Sequence, residues 1–74
     1  MVGKIINRVP ELLAKRGETH IELMWGAQLV FETAAAWAEF EGRQAPTRVE
    51  ANTMAKLCKH FGVQPGSIWE YIPE

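Results

Sequence analysis

Apolar residues recur at helical spacing late in the chain. Met54, Leu57, Cys58 and Phe61 occupy positions i, i+3, i+4 and i+7, and Gly62 ends the run. This pattern predicts an amphipathic helix closed by a glycine. A Pro-Gly turn and a short apolar ending follow it, formed by Val63, Pro65, Gly66, Ile68, Tyr71 and Ile72. Since one stripe cannot be buried alone, the preceding part of the chain must cover it.

A second apolar stripe marks a helix near the start of the chain. Its members are Ile5, Ile6, Val9, Leu12 and Leu13, and Lys15-Arg16-Gly17 is typical of a helix C-terminus. Pro10 costs about 3 kcal/mol inside a helix but fits the first turn, so we predict a start near Arg8. Met1–Asn7 is then mostly extended, with Gly3–Asn7 as its candidate strand. We predict that it can pair as a short strand with Trp69–Ile72, within one chain or between two.

The middle of the chain, residues 18–42, holds no proline, and only Gly26 interrupts a helix-favouring composition. Thr19 followed by Glu22 predicts a capping box and therefore a helix start. Propensity allows either one long helix or two helices that break near Leu29–Glu32. In both cases the predicted inward-facing residues are Trp25, Leu29, Ala36, Trp37 and Phe40. For Trp37, an exposed position at a partner surface is the alternative to the core.

A polar loop, Gly42–Pro46, follows this stretch. Thr47 and Glu50 form a second capping-box pattern, which predicts that the next helix begins near Arg48. Together the elements predict an all-α fold: a compact bundle of four to five short helices, with residues 1–74 forming one domain.

Composition narrows the functional class. The chain has 74 residues, of which 47% are hydrophobic, and a net charge of −1, which neither supports nor excludes nucleic acid. A single cysteine excludes an intrachain disulfide, and His20 and His60 lack the spacing of zinc ligands. We find no nucleophile–base arrangement and expect neither an enzyme nor a cofactor. The absence of a signal-peptide core or a long apolar run predicts a cytoplasmic location.

Residues 52–73, NTMAKLCKHFGVQPGSIWEYIP, resemble the ending of small single-domain members of the Cro/C1-type (XRE-like) helix-turn-helix family. The matching positions are Thr53-Met54, Lys56-Leu57-Cys58, Phe61, Val63, Pro65-Gly66 and Glu70-Tyr71-Ile72-Pro73. Leu12–Gly17 also resembles the first helix of that family, so the resemblance extends over Ile6–Pro73. It implies a lambda-repressor-like bundle whose third helix lies in the major groove of double-stranded DNA.

The resemblance also implies positions for DNA contacts. Aligning Gly42 with the glycine after the family's third helix puts Val30 in the turn, where the family has glycine. The exposed early positions of that helix then become Thr33, Ala34, Ala35 and Trp37. The basic loop that follows corresponds to the segment beside the DNA backbone. The implied DNA-binding set is Thr33, Ala34, Trp37, Arg43, Gln44, Thr47 and Arg48.

Two functions remain open at this point. The first is a sequence-specific DNA-binding transcriptional regulator that acts as a homodimer on paired half-sites. The second is a protein-interaction or dimerisation module on the same scaffold, because the predicted third helix is rich in alanine and carries glutamates nearby. We place the predicted dimer interface at Trp69 and Tyr71, since aromatic residues are favoured at interface centres.

Overall fold

The computed structural model describes residues 3–73 as a helical bundle with a small two-stranded antiparallel sheet. The predicted fold class is confirmed. In chain order the elements are β1 (Lys4–Asn7), α1 (Val9–Arg16), α2 (His20–Ala27), α3 (Phe31–Trp37), a 3-10 turn (Phe40–Gly42), α4 (Ala51–Phe61), α5 (Pro65–Ile68) and β2 (Trp69–Ile72). The middle stretch therefore forms two helices rather than one.

Helix α1 begins and ends as its sequence predicts. Arg8 is the N-cap residue and Pro10 lies in the first turn, where a missing backbone N–H costs nothing. The N–H of Val9 donates to Asn7 Oδ1 at 3.1 Å. Gly17 closes the helix in the left-handed conformation with φ 66°, which glycine adopts without strain.

The sheet joins the two ends of the described chain. Lys4 pairs with Ile72, Ile5 with Tyr71 and Asn7 with Trp69, so the predicted strand pairing is confirmed within one chain. Asn7 also fastens the sheet to α3, because its Nδ2 donates to the carbonyl of Trp37 at 2.7 Å.

One core lies between the helices and the inner side of the sheet. Its buried members are Val9, Leu13, Leu23, Ala27, Leu29, Ala34, Trp37, Leu57, Phe61 and Ile68. The α4 stripe supplies Leu57 and Phe61, with Met54 and Cys58 half-buried beside them. Trp37 packs against Trp69, with ring centroids 5.6 Å apart. The bundle is therefore closed by the same late segment that carries the family resemblance.

The predicted start of α4 near Arg48 is wrong. The helix begins at Ala51, and Glu50 precedes it in an extended conformation without a side-chain capping bond. Val49 packs against the core, which holds this stretch extended across the bundle. The packing of half-buried Val49 thus overrides the local capping pattern of Thr47 and Glu50.

Helices α2 and α4 meet where Gly26 lies against the ring of His60. A methyl group at Gly26 would come within 2.3 Å of a ring carbon of His60. The ring is also hydrogen-bonded to Glu18, whose Oε1 lies 2.9 Å from Nε2. Burial by itself raises the pKa of Glu18, but the His60 hydrogen bond and the Arg16 charge outweigh it and lower that pKa.

Candidate nucleic-acid interface

The turn between α2 and α3 is built around Gln28. Gln28 ends α2 in the left-handed conformation with φ 58°, and the N–H of Leu29 donates to the carbonyl of Met24 at 3.0 Å. Val30 is extended with φ −72° and caps α3. The alignment based on Gly42 put Val30 where the family has glycine. The left-handed position is at Gln28, two residues earlier, so that alignment is wrong by two residues.

That slip changes which residues of α3 face outward. Ala34 is 0% exposed and Trp37 is 1% exposed, and both belong to the core. Their prediction as DNA-contacting residues is wrong, because α3 begins at Phe31 and turns both side chains inward. The outward strip consists of exposed Glu32 with half-buried Thr33 and Ala36. Of the predicted α3 contacts, only Thr33 lies on this side.

An aromatic cluster covers the opposite edge of α3. The ring of His20 stacks on Phe40 with centroids 3.7 Å apart and meets Phe31 edge-on at 5.7 Å. The Arg43 guanidinium lies over both phenyl rings, 5.4 Å from Phe40 and 5.9 Å from Phe31. Ala35 lies one turn after Phe31 on the same side of α3 and is fully buried. His20, Phe40 and Arg43 therefore cover one part of Phe31, which stays 38% exposed.

The basic loop is divided between several surroundings. Arg43 faces the aromatic cluster, donates to the carbonyl of Phe40 at 3.1 Å and pairs with Glu41 at 3.6 Å. Thr47 lines a groove toward the sheet, together with Ile5 and Trp69. Arg48 is exposed and lines the groove beside α3, whereas Gln44 is exposed and lines neither groove.

The groove between α3 and the start of α4 therefore brings Thr33 and Arg48 together. Its full lining is Glu32, Thr33, Ala36, Trp37, Pro46, Arg48, Val49, Glu50 and Thr53. Two carboxylates, Glu32 and Glu50, accompany the single guanidinium. A phosphate backbone is attracted by Arg48 and repelled by the two glutamates, so any DNA approach must keep these carboxylates away from phosphate oxygens.

One cation at the helix-turn-helix was missed by the sequence interpretation. Lys56, on α4, reaches the turn, where its Nζ donates to the carbonyl of Gln28 at 3.3 Å. The position of Lys56 in the sequence does not predict this contact. The spacing along α4 identifies the buried stripe of the helix but not which element packs beside that stripe.

The two predicted dimer residues differ in exposure. Trp69 is half-buried against Trp37. Tyr71 is 57% exposed and lies opposite Ile5, which is 54% exposed. Within residues 3–73 the sheet has two strands, so each of them pairs on one edge only in the described part of the chain. The exposed pair and the open edges are the features of this end on which a dimer could form.

Trp25 was predicted to lie in the core and is instead 75% exposed. Val30 is 69% exposed, and Ile21 and Phe31 are 38% exposed each. The prediction for Trp25 is wrong because α2 carries apolar residues on nearly every side, and Leu23 and Ala27 take the inward positions. Helices α2 and α3 thus present apolar side chains to solvent.

The model of the Cro/C1-type helix-turn-helix DNA-binding domain matches residues 8–74. The chain belongs to this family of DNA-binding domains. No curated protein matches the chain. None of the helices described within residues 3–73 has the length and apolar character needed to cross a membrane. In the same part of the chain, no three His, Cys, Asp or Glu side chains are grouped as a metal site.

Proposed function

We propose that this chain is a sequence-specific transcriptional regulator that binds double-stranded DNA as a homodimer in the cytoplasm, with residues 1–74 acting as one domain. The observation that carries the proposal is the helix-turn-helix itself, in a chain that belongs to a family of DNA-binding domains. Its third helix keeps an outward strip, and Arg48 lies beside that strip.

In this proposal, base reading falls to the outward strip of α3. Thr33 can exchange hydrogen bonds with base edges, and Ala36 can meet a thymine methyl group. Glu32, at the start of the helix, can accept from the amino group of cytosine in the major groove. Few groups read bases here, so discrimination between sites is expected to be modest.

Backbone contacts fall to the loop between α3 and α4. Arg48 is the principal phosphate contact, because it is exposed beside α3. Exposed Gln44 and Thr47 are proposed as neutral donors to phosphate oxygens. Arg43 is proposed as a weaker phosphate contact, because only part of its guanidinium is exposed and its ion pair with Glu41 competes.

The test measures binding to genomic DNA fragments over a series of salt concentrations. Arg48→Glu should lower the affinity for DNA. It should also reduce the slope of log K against log salt by the amount that corresponds to about one phosphate contact or more. Lys59→Glu, at an exposed position on α4, is the charge-matched control and should bind nearly as the parent does. An absence of binding at low salt, with the protein folded, would refute the regulator.

The proposed dimer uses the sheet end of the molecule. A second copy can cover the Ile5–Tyr71 pair and add a strand to an open edge. Sedimentation equilibrium of Tyr71→Lys against the parent tests this. A monomer–dimer balance unchanged by the substitution would count against it. Trp69→Ala is the less specific variant, because it also removes the packing on Trp37.

The alternative, a protein-interaction module with weakened DNA reading, is favoured by one observation. From Gly17 to Gly42 the chain holds no lysine or arginine, although this stretch includes both helices of the helix-turn-helix. The salt series separates the two functions, because a module of this kind shows no steep salt dependence with DNA.

A further inference from the structure

Four exposed apolar side chains lie on helix α2 and at the start of helix α3. Ile21 and Trp25 are one turn apart on α2, so they share a face. Val30 and Phe31 open α3 directly after the turn at Gln28. We call this group of four the turn surface. Grouped exposure of large apolar residues on a small domain marks an interaction site more often than chance placement does.

The charges beside the turn surface select its partner. Glu22 precedes Trp25 by one helical turn, and Glu32 follows Phe31; both are exposed. Lysine and arginine are absent from this whole stretch of sequence, Gly17 to Gly42. Two cations reach this region from outside that stretch: Arg43, paired with Glu41, lies over Phe31, and Lys56 donates to the carbonyl of Gln28. Because both are engaged with groups of the protein, exposed Glu22 and Glu32 are the charges that the turn surface offers to a partner, and they repel DNA phosphates and anionic lipid headgroups. A second copy docked face to face would oppose glutamate to glutamate, which is unfavourable for the same reason.

We propose that the turn surface binds a cationic amphipathic helix of a protein partner. Apolar side chains of that helix pack on Trp25 and Val30, and its lysines or arginines meet Glu22 and Glu32. Trp25 is the expected anchor, because tryptophan contributes most strongly when it is desolvated at the centre of an interface. The inference goes beyond DNA binding. Because Glu32 belongs both to the turn surface and to the outward strip of α3, the partner helix and DNA would compete for this residue.

The test uses a designed helical peptide of leucine and lysine as the probe. Its matched controls are a leucine–glutamate peptide of the same pattern and a leucine–lysine peptide whose order destroys the amphipathic face. Binding is followed by NMR on the ¹⁵N-labelled full chain. The indole N–H of Trp25 is assigned by its loss in Trp25→Gln. The first peptide should shift this signal and leave that of buried Trp37 in place.

Two pairs of variants separate apolar from electrostatic contributions. Trp25→Gln should lower the affinity for the leucine–lysine peptide by about tenfold or more. Ala55→Gln, at an exposed position of α4, should leave this affinity unchanged. Glu32→Gln should weaken it more at low salt than at high salt, whereas Glu11→Gln on α1 should have little effect. Each substituted residue is exposed in the parent protein, so circular dichroism is sufficient to check that each variant folds.

Several outcomes would overturn the proposal. These are equal binding of the acidic peptide, shifts that avoid the turn surface, or no binding below about 1 mM. If duplex DNA shifts the Trp25 indole and Trp25→Gln weakens DNA binding, the surface belongs to the DNA interface instead. If Trp25→Gln dissociates a dimer in sedimentation, the occupant is a second copy. The Arg48→Glu salt series remains a separate test of DNA binding.

Discussion

Gly26→Ala should destabilise this protein, although the same change stabilises most helices. In the middle of an exposed helix, alanine is favoured over glycine by roughly 0.5–1 kcal/mol. Here the new methyl group would meet the His60 ring at 2.3 and 2.5 Å, well inside van der Waals contact. The ring cannot move away freely, because Glu18 holds its Nε2 at 2.9 Å.

The expected magnitude follows from the two opposing effects. Overpacking of this kind costs about 1–3 kcal/mol and exceeds the gain in helix propensity. We expect a net loss of about 1–2 kcal/mol in the free energy of unfolding, or a fall in Tm of about 5–15 °C for a domain of this size. Urea denaturation with an unchanged m-value measures it directly.

A double-mutant cycle isolates the cause. In a His60→Ala background the ring is gone, so Gly26→Ala should there raise stability by roughly 0.5–1 kcal/mol. Gly66→Ala is the matched control, because Gly66 also lies in a helix and an added methyl group meets nothing within 4 Å. The reasoning is refuted if Gly26→Ala is as stable as the parent, or if its effect keeps the same sign without His60.

Three further predictions concern stability. Thr19→Ala should lower the free energy of unfolding by about 1 kcal/mol, because it removes the α2 cap. Thr47→Ala should lower it by less than about 0.5 kcal/mol, because no helix starts there. Thermal melts that rank the two variants the other way would contradict this prediction. The folded-state pKa of Glu18 is lowered, so ionised Glu18 stabilises the folded protein. This stabilisation is fully present above the unfolded-state pKa of 4.5 and is lost as the pH falls through the folded-state pKa. Urea midpoints of Glu18→Gln should therefore depend less on pH below 4.5 than those of the parent. Asn7→Ala should lower the free energy of unfolding by about 1–3 kcal/mol and weaken the strand pairing, because the Asn7 side chain hydrogen-bonds to both Trp37 and the start of α1. Unchanged hydrogen-exchange rates in the two strands would argue against this prediction.

Much of the fold could be predicted because its signals are local. Pro10 and Gly17 mark the two ends of α1, and Gly62 ends α4, since each residue has a backbone preference that neighbouring elements do not change. Pro10 also indicates that the segment before α1 is extended, but the sequence left open whether that strand pairs within one chain or between two. These predictions needed no knowledge of how the helices pack.

The candidate site was harder to predict because it depends on packing. Helix α2 is apolar on most sides, so its periodicity could not show that Leu23 faces inward while Trp25 faces solvent. Gln28 adopts a left-handed conformation that few non-glycine residues take, and nothing in its identity announces it. Aligning Gly42 with the glycine after the third helix misplaced that helix by two residues, because α3 ends at Trp37 and an extra turn with positive φ at Glu39 and Glu41 lies between.

The shortage of exposed cations near α3 links DNA binding to the proposed dimer. Each neutralised phosphate contributes a slope of about −0.9 to log K against log salt. If Arg43 and Arg48 are both engaged, one protomer has a slope of about −2 and a dimer one of about −4. Between 50 and 200 mM salt, affinity should then fall about tenfold for a monomer and about 150-fold for a dimer. Tyr71→Lys, which lies away from the α3 groove, should convert the steeper dependence into the shallower one. If the parent already shows the shallow slope while sedimentation reports a dimer, only one protomer engages DNA at a time, and paired half-sites are not what this protein reads.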